Sequence, residues 1–222
     1  MLKKWYNIKG EKMLKIIRKI IKIAGYTILP FIISLIIQFL IGISKITDPV
    51  VLRSLTVVTS PLVFLLSYLI YNKNSSVAND FKFKKGDFKT VTILAIISLS
   101  INIGVGIIFK DKLERQDTLN ILNNMNVYLA KITGIVLAPI CEEYYFRKGF
   151  YNLFENKKLY IPIAGVLFGF VHYSPANSTI TNLIMISTIS IMGMIYCYFY
   201  SKEKRTGITI VSHMINNFIA MI

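Results

Sequence analysis

One stretch of the chain decides the fold: VYLAKITGIVLAPICEEYYFR, residues 127–147. It is long and apolar enough to span a membrane, yet charged side chains lie inside it, and both histidines of the chain lie in later apolar stretches. These ionisable residues are Glu142, Glu143, Arg147, His172 and His213. Because ionisable groups at membrane depth cost free energy, a functional site inside a membrane protein is the default explanation for them.

The composition is that of a membrane protein. Hydrophobic residues make up 54% of 222 positions, charged residues only 17%, and the mean hydropathy is +0.56. The formal net charge of +15 would suggest a nucleic-acid partner in a soluble chain. Here the lysines form short islands between apolar runs, so we expect a lipid bilayer and no nucleic acid as a partner. Aromatic residues at 144–154 and 196–200 are interpreted as a belt at the membrane interface.

Seven apolar segments are candidate membrane spans, and most have about the 20 residues that cross a hydrocarbon core. They cover residues 23–44, 50–71, 90–109, 127–147, 160–173, 180–200 and 206–222. The fifth is short, and its polar exit at 173–178 predicts a helix that ends where other protein segments cover its backbone. The predicted fold class is all-α: a polytopic transmembrane helical bundle of about seven spans with a buried polar catalytic cavity.

Lysines and arginines are distributed unequally between the two sides of this topology. Most of the chain's 26 fall before the first span and in every second loop, which predicts a cytoplasmic N-terminus. Counted at about 1.5 Å per residue from the cytoplasmic ends, Glu142, His213 and His172 lie at depths of roughly 9, 11 and 18 Å. Three helices thus place polar groups in overlapping layers, and we expect one water-filled cavity to hold them.

The two glutamates of the fourth span differ in their neighbours. Glu143 and Arg147 are four residues apart, so they share a helix face and can form an ion pair. Glu142 points about 100° away from Glu143 and remains available to act on water. Glu142 is therefore a candidate general base, and the ion pair is a candidate orienting element.

Both histidines have partners at helical spacing. Phe168 precedes His172 by four residues, so its ring can pack against the imidazole. His213 and Asn217 are also four apart and can both donate hydrogen bonds to a developing oxyanion. Asn216 competes with Asn217, but the spacing favours Asn217 because neighbouring residues on a helix face different ways.

Together these motifs resemble a known family. Glu-Glu-x-x-x-Arg on one predicted helix, Phe-x-x-x-His on the next and His-x-x-x-Asn on the last are similar to the signature of the type II CAAX prenyl endopeptidase and bacteriocin-processing family of intramembrane proteases. The resemblance covers residues 127–222, the expected protease core. Before it we expect a basic cytoplasmic segment at 1–22 and N-terminal transmembrane spans over 23–126.

The resemblance implies catalytic roles for six residues: Glu142, Glu143, Arg147, His172, His213 and Asn217. Glu142 would activate the attacking water with assistance from His172. The neighbouring ion pair would hold this helix segment in shape. His213 and Asn217 would stabilise the tetrahedral oxyanion.

Metal dependence stays open at this point. The family has been described both as metalloproteases and as metal-independent glutamate proteases. From chemistry alone, Glu142, His172 and His213 could form a three-ligand zinc site with one open position. The His-Glu-x-x-His arrangement of better-known zinc peptidases is absent from the sequence, and we favour metal-free activation of water, with zinc as the alternative cofactor.

The substrate that the resemblance implies is a membrane-associated peptide or protein cut near the cytoplasmic face. The abundance of Ile, Lys and Asn suggests an AT-rich bacterial genome, hence a bacterial cell membrane and peptide processing rather than prenyl processing. Two other classes stay open: a proton-coupled transporter and a catalytically inert immunity or peptide-binding membrane protein. A transporter should have broken helices in matched halves, which the sequence does not indicate, and the intact residue set argues against loss of activity.

Overall fold

The structure is a computed structural model that describes residues 2–73, 77, 79–110 and 126–221. Within these ranges every element of regular secondary structure is a helix, which confirms the predicted all-α class. Residues 111–125, where part of an outer loop was predicted, lie outside the described residues. The helices are α1 (Leu2–Ile43), α2 (Pro49–Tyr71), α3 (Asp87–Ile108), α4 (Val127 to Leu153), α5 (Lys157–Phe170), α6 (Thr179–Glu203) and α7 (Thr206–Ala220).

Four of these helices are long and apolar enough to cross a membrane by length and composition: α1 from Met13, α2, α3 and α6. Their outer faces expose large apolar side chains such as Leu35 and Ile107, as lipid-facing helices do. The other three helices carry the predicted site residues or lead into them. α5 and α7 have only 14 and 15 residues, and α4 is divided into five short segments. The polar site is therefore built on the shorter and less regular helices.

Helix ends follow from local sequence. Asp48, Asn126, Asn156 and Ser178 each accept hydrogen bonds from the first turn of the helix that follows them, as N-cap side chains do. Lys204 has a left-handed backbone with φ of 53°, which ends α6 and reverses the chain directly into α7. This tight connection fixes where α7 begins.

Helix α4 contains two π-helical segments, Thr133–Leu137 and Glu143–Gly149, separated by the α-helical segment Ala138–Glu142. In the first of them the N–H of Ala138 bonds to the carbonyl of Thr133, five residues earlier. Such π segments are frequent at functional sites, since the extra residue per turn changes which side chains share a face. Both glutamates lie where the second π segment begins.

Glycines bring α5 and α6 into close contact. A Cβ added to Gly165 would lie 2.7 Å from the backbone nitrogen of Met194, and one added to Gly193 would lie 3.0 Å from the carbonyl oxygen of Gly165. Only small residues allow two backbones to approach this closely. The contact holds the C-terminal half of α5, and with it Phe168, against α6.

The ends of helices that the topology places on one side are joined by ion pairs. These link the N-terminal helix to the α4–α5 turn, the α2–α3 loop to α4, and the start of α3 to the residue just before α7. The pairs are Lys19 with Glu155, Lys148 with Asp80, and Arg205 with Asp87. Four basic segments that the charge pattern assigned to the same side are therefore in mutual contact.

The interpretation of the aromatic residues at 144–154 and 196–200 as an interfacial belt is wrong for most of them. Tyr145, Phe146 and Phe150 are buried in the main core cluster. Tyr196 and Tyr200 of α6 are buried as well. The rings of Tyr145, Phe146 and Phe150 fill the space between α1, α2, α4 and α5, whereas Tyr196 packs against α3 and α7, so these rings pack the bundle.

Element boundaries differ from the predicted spans at several places; α4, for example, continues to Leu153 beyond the predicted end at 147. The first helix begins at Leu2, so the basic segment before residue 23 is continuous with the first span. The fifth helix ends at Phe170, and His172 lies in the turn that follows. Beyond this end, buried Asn182 of α6 accepts from the N–H of Ser174 and donates to its carbonyl. Another helix thus satisfies the backbone groups that are freed where the short span ends, as predicted.

Candidate active site

A cavity of about 400 Å³ lies between α3, α4, α5, α6 and α7. Four of the six predicted site residues line it, together with apolar and amide side chains. The four are Glu142, His172, His213 and Asn217; the other side chains include Asn102, Phe168, Ile189, Met192 and Asn216. The structure thus brings polar residues of α4, of α7 and of the turn after α5 into one cavity. Glu143 and Arg147 lie behind its wall.

The two adjacent glutamates have opposite environments. Glu142 lines the cavity, and its side chain is 13% exposed. Glu143 is completely buried and contacts both Arg147 and His213. Buried carboxylates need compensating partners, whereas a carboxylate at a cavity wall can bind water. The two glutamates therefore face different surroundings, as their positions on the helix predict, and their roles stay predictions.

A stack of cationic and aromatic groups supports the cavity from behind. The Nε atom of Arg147 lies 3.0 Å from Oε2 of Glu143, and its guanidinium carbon lies 4.3 Å from the centre of the Phe168 ring. The ring of Phe168 also packs edge-on against His172, with centroids 5.0 Å apart, and contacts His213. Phe168 thereby links the buried ion pair to both histidines.

His213 contacts both glutamates with its two ring nitrogens. Nδ1 lies 3.1 Å from Oε1 of Glu143, and Nε2 lies 3.9 Å from Oε2 of Glu142. Because a carboxylate oxygen accepts, the first contact places a proton on Nδ1 and directs Nε2 toward Glu142. The gap of 3.9 Å is longer than a hydrogen bond, and one water molecule could bond to both groups.

His172 is oriented by a backbone carbonyl. Its Nδ1 lies 2.8 Å from the oxygen of Phe168, which can only accept, so this nitrogen carries a proton. Nε2 is then the nitrogen that a neutral His172 offers to the cavity as an acceptor. Both histidines therefore have Nδ1 bound to a fixed acceptor, an arrangement that suits proton transfer and metal binding alike.

The asparagines of α7 differ from the prediction. Asn216 was expected on another face than Asn217, but both line the cavity. The cavity spans more than the 100° between neighbouring residues, so both side chains reach it. Asn216 bonds Oδ1 of Asn217 and accepts from Asn102 of α3, while Asn217 donates to the carbonyl of Gly134.

The residues present do not form a metal site as they stand. Within the described parts of the chain, no three His, Cys, Asp or Glu side chains are grouped closely enough to hold an ion. Glu142 and His213 are the near pair of the predicted zinc set, with Oε2 of Glu142 3.9 Å from Nε2 of His213. We therefore derive no step through zinc from this geometry.

Sequence reasoning missed two aspartates that hold the site's helices. Buried Asp80 accepts from Lys148, Tyr144 and Thr206, and its carbonyl accepts from the N–H of Gly207. A Cβ on Gly207 would lie only 2.4 Å from that carbonyl oxygen, so the start of α7 requires glycine there. The one available signal was an acidic residue in a strongly basic loop.

The second aspartate, Asp87, fixes the residue just before α7. Its carboxylate accepts hydrogen bonds from both terminal nitrogens of Arg205, a bidentate arrangement. These bonds raise the pKa of the Arg205 guanidinium above its ordinary value. Since Arg205 also bonds the carbonyl of Lys82, the α2–α3 loop and the α6–α7 turn are held together.

The fold and this cavity define a helical membrane protein with a buried polar site between its helices. Residues 124–219, less than half of the chain, match the family model described as Type II CAAX prenyl endopeptidase Rce1-like. The resemblance predicted from the motifs is thereby confirmed, and at family level it implies an intramembrane protease of the CAAX type. No curated protein and no solved structure shows significant similarity to the chain.

Proposed function

We propose that the protein is an intramembrane endopeptidase that hydrolyses membrane-associated peptides or proteins near the cytoplasmic face. The observation that carries the proposal is the contrast between adjacent Glu142 and Glu143. One carboxylate faces a cavity with two oriented imidazoles, and the other is buried in an ion pair that fixes the helix. Neighbouring carboxylates with different environments are typical of sites that divide acid–base chemistry from support.

In this proposal Glu142 removes a proton from a water molecule held between it and His213, and that water attacks the scissile carbonyl. His172 assists through Nε2, since its Nδ1 is held by the carbonyl of Phe168. Collapse of the tetrahedral intermediate returns the proton from Glu142 to the leaving amine. The atoms balance as water is added across one peptide bond.

Stabilisation of the oxyanion is assigned to His213 and Asn217. His213 can donate from Nε2 when both of its ring nitrogens carry a proton, and its Nδ1 proton is then held by the Glu143 carboxylate. Asn217 uses one amide hydrogen for the carbonyl of Gly134, which leaves its second for the cavity. Both donors are on α7, one turn apart, and are positioned before the substrate binds.

The experiment uses the full chain in lipid vesicles with two fluorogenic probes: a farnesylated peptide with a CAAX C-terminus and an unprenylated leader peptide with a membrane-binding helix. We expect cleavage of at least one probe, loss of turnover by 10²-fold or more in Glu142→Gln, and normal turnover in Glu155→Gln. Glu155 is the matched control because it is an exposed glutamate outside the cavity. Near-normal turnover in Glu142→Gln would show that this residue is not the general base. If the wild type bound a probe peptide without cleaving it, the inert peptide-binding alternative would be favoured.

The same two probes separate the substrate branches. We propose peptide processing in a bacterial cell membrane, which predicts faster cleavage of the unprenylated probe.

We also propose a cytoplasmic N-terminus, supported by the contacts among the basic segments that carry Lys19, Lys148 and Arg205. The division into a basic segment 1–22, spans over 23–126 and a protease core at 127–222 belongs to this proposal. Labelling of cysteines introduced near residues 15 and 45 would establish the orientation.

A further inference from the structure

Three asparagine side chains form a hydrogen-bonded series across the cavity wall. Asn102 of α3 donates through Nδ2 to Oδ1 of Asn216 at 2.9 Å, and Asn216 donates to Oδ1 of Asn217 at 3.3 Å. Asn217 then donates to the carbonyl of Gly134 at 2.9 Å. All three asparagines line the cavity, and among its described lining residues Asn102 is the one that α3 contributes. It lies outside the matched region 124–219.

The end of this series is fixed by the backbone of α4. In the π-helical segment the N–H of Ala138 bonds Thr133, and the next residue in that register is Pro139, which has no N–H to offer to Gly134. The carbonyl of Gly134 therefore needs a donor from elsewhere, and Asn217 provides it. Sequence and helix geometry together create the acceptor that anchors Asn217.

A carbonyl that can only accept determines the orientation of each amide in turn. The carbonyl of Gly134 requires that Nδ2 of Asn217 point toward it, and Oδ1 of Asn217 then points toward Asn216. Asn216 must then present Nδ2 to Asn217 and Oδ1 to Asn102, and Asn102 must donate. The series has one consistent direction, and reversal of any amide would place two acceptors or two donors face to face.

We propose that Asn102 is a positioning residue that acts through Asn216 to hold the Asn217 amide with its remaining hydrogen aimed into the cavity. This rests on the proposed role of Asn217 as oxyanion donor. Asn217 is held at both ends, by Gly134 on one side and by the Asn102–Asn216 pair on the other. A donor held in this way does not have to reorient when charge develops.

Two substitutions that keep the branched shape of the side chain test the series. Asn102→Leu removes the donor, whereas Asn102→Asp replaces it with an acceptor. The carboxylate would favour reversal of Asn216 and then of Asn217, against the Gly134 carbonyl. We expect kcat to fall about 10-fold or more in Asn102→Leu, and further in Asn102→Asp, with KM nearly unchanged. Ser98→Ala is the matched control, because Ser98 lies one turn earlier on α3 and bonds Tyr196 of α6 rather than α7.

The double variant Asn102→Leu with Asn217→Ala decides whether Asn102 acts through Asn217. We expect its kcat to equal that of Asn217→Ala alone, since the positioned group is already gone. Multiplied losses would mean an independent structural role and would overturn the proposal. If Glu142→Gln and Asn217→Ala lower turnover by about 10²-fold or more while both Asn102 variants behave as Ser98→Ala does, the positioning proposal fails and the proposed function stands.

A second measurement needs no substrate. In protein labelled with ¹⁵N-asparagine, the side-chain NH₂ signal of Asn217 is identified by its loss in Asn217→Ala. We expect this signal to shift in both Asn102 variants and to stay in place in Ser98→Ala. An unchanged Asn217 signal in Asn102→Asp would overturn the proposal whatever the enzyme does.

Discussion

Replacement of Glu143 by glutamine should destabilise the protein through the charge it leaves behind. Glu143 is 0% exposed and Arg147 1% exposed, so the guanidinium of Arg147 would keep its charge in a buried site without its carboxylate. Removal of one partner of a buried ion pair costs roughly 3–5 kcal/mol of unfolding free energy. For a chain of this length that corresponds to a fall in Tm of roughly 6–20 °C. His213 would also lose the acceptor that orients its Nδ1, so turnover should fall in the folded fraction.

Thermal unfolding of detergent-purified protein measures the change, with Lys19→Ala as control. Lys19 and Glu155 form an ion pair of similar length, 3.1 Å, but at an exposed site, so its loss should cost no more than about 1 kcal/mol. The double variant Glu143→Gln with Arg147→Met removes both charges and should regain much of the lost stability, but not the activity. A Glu143→Gln protein as stable as the Lys19→Ala control would refute the ion-pair reasoning.

Three further predictions concern other parts of the site. Asn217→Ala should lower kcat by about 10²–10³-fold in peptide cleavage with little change in KM, since its amide binds the transition state. Asp80→Asn should lower the unfolding free energy by about 3 kcal/mol, measured by thermal unfolding, because buried Lys148 and the start of α7 depend on this carboxylate. Elemental analysis of active protein should find zinc well below stoichiometric; stoichiometric zinc that His213→Ala removes along with activity would instead establish a metalloprotease.

Much of the site was predictable because it depends on residues close together in sequence. Helical spacing alone predicts the pairing of Glu143 with Arg147 and the packing of Phe168 on His172, and both contacts are present. Apolar runs of membrane length predict the order of the helices within the described parts of the chain. Local periodicity is therefore sufficient for this part of the architecture.

Features that depend on distant residues or on helix irregularity were not predictable. Asp80 bonds Lys148 and Thr206 across 68 and 126 positions, and no local pattern indicates such partners. The prediction that Asn216 lies on a separate helix face assumed a narrow cavity and a regular helix. The aromatic residues after Glu143 were predicted to lie at the membrane interface. Only packing against α1 and α2 shows that these rings are buried.

The N-terminal half of the chain has a part in the site although it lies outside the matched region 124–219. Asp80 and Asp87 hold the start of α7 and the arginine before it, and Asn102 contacts α7 one turn below His213. The distance between the imidazole of His213 and the two glutamates of α4 depends on where α7 lies along its own axis. Three contacts from the first 110 residues fix that position, so we infer that this half of the chain sets the geometry of the site as well as anchoring it in the membrane.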